Sequence, residues 1–142
     1  MKLNIGFFLG SKLGRGNNYS ILTKNVAKWL NQSKHNVVFV WTESGIMRDL
    51  VVNLNRKELK VTAIITKSLM KEHNECSYFN ELILVEDLKK RTEQFLLRSD
   101  VFLALPGGIG TLFEVVEIFN KRVLGETSKK LFIINDFNYW NP

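Results

Sequence analysis

Hydrophobic and polar positions fall into two kinds of block along this chain: short, nearly continuous apolar runs, and longer stretches with apolar residues three and four apart. The runs Leu3–Leu9, Val37–Trp41, Val61–Thr66, Leu82–Val85, Val101–Leu105 and Leu131–Asn135 are too apolar to alternate and too short for helices. They predict strands buried on both faces. Between them, Asn17 or Asn18 can cap a helix in which Leu22, Val26, Trp29 and Leu30 share a face. A second helix carries Met47, Leu50, Val51 and Leu54 at helical spacing, and a third runs from about Asp87 to Arg98. In the last helix Leu112, Val115, Val116 and Phe119 form the expected buried stripe. Lys67 to Asn80 is polar and mixed, a loop with room for a short helix. No linker, repeat or low-complexity segment interrupts the pattern, so residues 1–142 read as one domain. Strands alternating with helices predict an α/β fold: a doubly wound parallel sheet with helices on both faces.

In such a sheet, ligands bind beyond the carboxyl ends of the strands. Three turns occupy that position: Gly10 to Gly16, Thr42 to Gly45, and Pro106 to Thr111. The third is the most informative. Gly107, Gly108 and Gly110 let backbone approach a ligand closely, and the following helix aims its unpaired N–H groups and positive dipole end at the same place. Gly107, Gly108, Ile109, Gly110 and Thr111 are therefore candidate anion-binding positions, with Gly10, Ser11 and Gly45 from the other two turns. Glycine-rich strand-to-helix turns also occur for purely structural reasons. The carboxylate of Glu114, one turn into the helix, shifts the balance: it would only repel a simply bound phosphate, but it has a use in chemistry beside one. Glu117 follows on the same flank, where it can equally be a dipole-compensating charge.

Composition narrows the setting. Hydrophobic residues make up 45% and charged residues 24%, ordinary for a globular protein. No apolar run approaches the roughly 18–20 residues that cross a bilayer, and Met1 to Gly10 reads as a first strand rather than a signal peptide. One cysteine, Cys76, and two histidines, His35 and His73, leave no disulfide and no spaced metal-ligand cluster, so no metal is expected. A reducing cytoplasm is the expected compartment. The net charge of +6 is dispersed, without a basic run or interleaved aromatics, which favours small anions over nucleic acid or a membrane surface.

The segment from Arg91 through Leu105-Pro106-Gly107-Gly108-Ile109-Gly110-Thr111-Leu112-Phe113-Glu114 resembles the Lonely Guy family, cytokinin-activating enzymes and bacterial relatives often labelled lysine decarboxylases. The Pro-Gly-Gly-x-Gly-Thr-x-x-Glu signature is complete, and Arg91 precedes Pro106 by the family's interval. Phe8-Leu9-Gly10-Ser11 with Tyr19 is similar to the family's opening turn and first helix. The resemblance implies a Rossmann-like fold, a homodimer, and hydrolysis of the N-glycosidic bond of a nucleoside 5′-monophosphate of AMP type, with no redox cofactor and no obligatory metal. It implies Arg91 and Glu114 as catalytic residues, with Glu117 as a ribose or structural partner. The chain departs from the family at Val40-Trp41-Thr42, where a glycine run is usual, so Trp41 and Thr42 are expected to add bulk to the second wall of the pocket. The alternative is a non-catalytic nucleotide sensor that keeps the phosphate turn. Phe113, Ile118 and Val123 lie off the expected stripe of the last helix, and burial on that side would need a partner copy. After the last strand the chain stops at Pro142, where relatives continue into a closing helix.

Overall fold

The computed structural model describes residues 1–10, 18–41, 45–70 and 78–142. Ser11, the rest of the first glycine turn, Asn17, Thr42, His73 and Cys76 lie outside the described residues. The elements follow in the order β1 (Asn4–Phe8), α1 (Asn18–Ser33), β2 (Asn36–Val40), α2 (Gly45–Val52), β3 (Val61–Thr66), α3 (Lys67–Met70), β4 (Glu81–Val85), α4 (Leu88–Arg98), β5 (Val101–Ala104), α5 (Ile109–Val123) and β6 (Leu131–Ile133). A short 3-10 turn at Asp136–Asn138 comes after β6.

All six strands pair in parallel in the order β4-β3-β2-β1-β5-β6. The sheet is covered on both faces, which explains why its strands read as unbroken apolar runs. Side chains alternate with period two: Ile5, Phe7, Val37, Phe39, Val61 and Ala63 pack with α1 and α2, while Phe8, Val38, Ile64, Phe102 and Ala104 pack with α4 and α5. Each crossover from β1 to β4 steps one way, whereas β5 returns to the opposite side of β1. The strand order thus reverses between β1 and β5, and the connections leaving their carboxyl ends run to opposite sides there.

Helix boundaries follow local chemistry. Asp87 caps α4, its carboxylate accepting the Lys90 N–H at 2.9 Å. Two helix faces differ from the periodicity reading. Trp29 does not join Val26 and Leu30 in the core; it stays largely exposed beside His35. In α5 the buried residues are Thr111, Val115 and Ile118, while Leu112, Val116 and Phe119 face outward. Ile118, expected off the stripe, is only 2% exposed. The helix carries two apolar faces about 100° apart, and only one of them meets the sheet. Thr111, buried beside Gly107, lies on the face that does.

Candidate active site

The end of β1 and the end of β5 come together as bare backbone. A Cβ on Gly10 would lie 3.0 Å from Gly107 Cα, and a Cβ on Gly107 would collide with the Thr111 side chain and reach 3.0 Å from Gly10 N. Only glycine fits at Gly107 without a shift, and a side chain on Gly10 would press on the Gly107 backbone. Gly108 and Gly110 differ: nothing lies within 4 Å of a Cβ built on either. Gly108 is the N-cap of α5 and supplies no side-chain cap, so the orphan N–H groups of the first turn are left for a ligand.

A cleft of about 630 Å³ opens over this floor. Its walls come from the strand ends (Leu9, Val40, Pro106), the start of α2 (Ile46, Met47), Tyr19 of α1, Arg91 of α4, and Glu114 and Tyr139. Gly10, Gly107, Gly108, Ile109, Gly110, Thr111, Arg91 and Glu114 thus gather at one cleft, as their places in the sequence anticipate. Gly45 opens α2, whose next two residues line the cleft. Glu117 sits behind rather than in it, sharing a recess of about 20 Å³ with Arg91, Glu114, Phe8 and Phe95. Trp41 does not form the expected wall. Its period-two position turns it to the other sheet face, where it is 2% exposed with its ring 4.6 Å from that of Phe79. Val40 meets the cleft instead.

The electrostatics of the cleft centre on Glu114. Burial pushes its carboxyl up to about 7; Arg91 across the cleft pulls it down, and Glu117 pushes it up. Arg91 Nε is itself buried without a hydrogen-bond partner among the described residues. A buried donor left unpaired is costly. The site therefore offers a backbone anion cradle at one end, and a cation and a carboxyl poised near neutrality beside it.

Tyr139, Met47, Ile46 and Val40 are lining residues that the motifs do not indicate. Met47 reads as core, and it is: it packs against the core while also facing the cleft. Tyr139 lies 32 residues from Gly107, whose carbonyl accepts its hydroxyl proton at 2.5 Å. No local spacing signals that contact.

A parallel doubly wound sheet with a glycine-lined cleft, an arginine and a carboxyl at its strand-order reversal defines a Rossmann-like α/β protein. A family model described as "possible lysine decarboxylase" matches residues 45–142. The chain belongs to that family, the Lonely Guy group that its glycine signature resembles. It is 31% identical over 134 residues to an Arabidopsis thaliana protein named cytokinin riboside 5′-monophosphate phosphoribohydrolase, covering 94% of this chain and 59% of the relative. A Rhodococcoides fascians protein of the same name is 28% identical over 140 residues, covering 98% of this chain and 71% of that one. This chain therefore spans between about three fifths and seven tenths of these relatives' lengths. Among solved structures, the molybdenum cofactor carrier protein from Chlamydomonas reinhardtii superposes with a TM-score of 0.72 at 15% identity, covering 94% of this chain and 76% of that one, a likeness of fold. Among the described residues no helix is long and apolar enough to cross a membrane, and no group of three or more His, Cys, Asp and Glu could hold a metal ion.

Proposed function

We propose that this protein hydrolyses the N-glycosidic bond of a purine nucleoside 5′-monophosphate, releasing the free base and ribose 5-phosphate. The observation that carries this reading is the meeting of Arg91 and Glu114, from two different helices, beside the glycine cradle. The names of the relatives support the same reaction class.

In this reading the 5′-phosphate sits at the start of α5, held by backbone N–H groups and the helix dipole. The ribose then lies towards Glu114. As the bond from C1′ to the base nitrogen breaks, positive charge develops on the sugar. That charge favours the ionised form of Glu114, so the carboxylate interacts more strongly with the transition state than with the ground state. Water adds to C1′ and gives up a proton to Glu114, while the base leaves with the bonding electron pair and takes a proton from solvent; Glu114 then returns its proton to solvent. Arg91 engages the substrate or polarises the departing base. Burial does most to raise the Glu114 carboxyl, and Glu117 behind it adds to that.

The outward face of α5 supports a homodimer. Ile109, Leu112, Phe113, Val116, Phe119 and Val123 recur at helical spacing on one side, with Phe113 66% and Phe119 64% exposed. A contiguous apolar stripe of this length on a sheet-packed helix fits a self-complementary contact with a second copy.

The test is incubation of the full chain with AMP, with free adenine and ribose 5-phosphate separated by chromatography. Adenine release abolished by Glu114→Gln supports the reading. Tight AMP binding with no product overturns it.

A further inference from the structure

Beyond β6 the chain folds into a compact turn whose bonds are nearly all internal. Asn135 Oδ1 accepts the Trp140 N–H at 2.7 Å, and Asn135 Nδ2 donates to Asn141 Oδ1 at 2.8 Å. Trp140 Nε1 donates to the Ile134 carbonyl at 3.1 Å, and Asn138 takes a left-handed conformation with φ 54°. This turn presents one side chain to the cleft, Tyr139, whose ring meets that of Tyr19 edge-on at 5.5 Å.

The Tyr139 hydroxyl crosses to the Gly107 carbonyl at 2.5 Å. That carbonyl belongs to the peptide between Gly107 and Gly108, two residues without side chains to restrain their backbone. A peptide is planar, with its C=O and N–H pointing opposite ways. Holding the Gly107 oxygen therefore also sets the direction of the Gly108 N–H, the donor at the N-cap of α5. Thr111 packs Gly107 from below, but nothing lies within 4 Å of the Gly108 Cβ position. Tyr139 supplies the restraint that the glycines lack.

We propose that Tyr139 is a positioning residue for the anion end of the cleft, locking the Gly107–Gly108 peptide in its ligand-receiving orientation. The phosphate identity of the anion rests on the function proposed above. The contact acts on the bound phosphate and not on the sugar or base, so it contributes equally to ground state and transition state. Its loss raises KM and leaves kcat in place.

The test compares the full chain with Tyr139→Phe, which keeps the ring against Tyr19 and removes the hydroxyl. Calorimetric titration with inorganic phosphate and with AMP is paired with AMP turnover and a melting curve. We expect both affinities to fall by the same factor, about five- to tenfold, as for the loss of one hydrogen bond. KM should rise in step while kcat stays within about twofold. Unchanged phosphate affinity in Tyr139→Phe, or a lower melting temperature as the sole effect, overturns the proposal. If wild type binds both ligands yet releases no adenine, the hydrolase reading falls, and the role of Tyr139 is still decided by the affinities. If wild type binds neither, both fall.

Discussion

Gly10 and Gly107 meet backbone to backbone at the ends of β1 and β5, with 3.0 Å between Gly107 Cα and the point where a Gly10 Cβ would stand. This closeness makes the glycines of the signature unequal. Gly107→Ala forces its methyl into Thr111 and the Gly10 amide, which must shift the turn; we expect a cost of about 1–3 kcal/mol and loss of AMP binding. Gly108→Ala meets open space and should fold and melt like wild type. Thermal unfolding of the two variants side by side checks the contrast, and equal losses would refute it.

Glu114→Gln keeps the shape of the side chain and removes the charge that answers the developing sugar cation. Turnover of AMP should fall on the order of 10²-fold or more with the fold intact. Near-normal turnover would remove Glu114 from the chemistry.

The same substitution has a stability signature of defined sign. Folded Glu114 keeps its proton up to about pH 7, against an ordinary value of 4.5. The folded chain thus binds more protons than the unfolded chain between these values, and stability falls as pH rises. The contribution is fully present below 4.5 and lost as pH passes about 7. Glu114→Gln should therefore melt like wild type at pH 4 to 5 and gain on it by pH 8, by on the order of 2 kcal/mol after allowing for partial exposure. Melting curves at the two ends of that range measure it.

Arg91 lowers the Glu114 carboxyl, so its removal should move that group's titration upward. For an ionised Glu114 in catalysis, kcat/KM rises with pH through about 7 in wild type, and the rise shifts to higher pH in Arg91→Ala. Arg91→Lys restores most of the position of the curve, because it restores the charge. A pH–rate profile with an unmoved midpoint in Arg91→Ala would break the link between the two residues.

Val116→Glu together with Phe119→Glu places two charges in the outward stripe of α5, away from the sheet. Wild type should scatter as a dimer and the double variant as a monomer with its melting behaviour largely kept. A wild-type monomer at micromolar concentration contradicts the assembly.

Sequence alone determined the parallel α/β architecture, because strands covered on both faces must read as unbroken apolar runs. It also made the glycine turn and Glu114 legible, since both sit within one βα unit, whereas Arg91 stood out from Lys89 and Lys90 only through the family resemblance. Tertiary structure decided what periodicity leaves open. An apolar stripe states that something covers it, not what does: Leu112, Val116 and Phe119 look like core by spacing yet face outward, because the face of Thr111, Val115 and Ile118 is the one packed against the sheet. Trp41 looks like an obstruction beside the ligand, yet strand alternation carries its ring to the far face of the sheet. Tyr139 reaches Gly107 only because β6 lies next to β5, a neighbourhood set by sheet order rather than by distance along the chain.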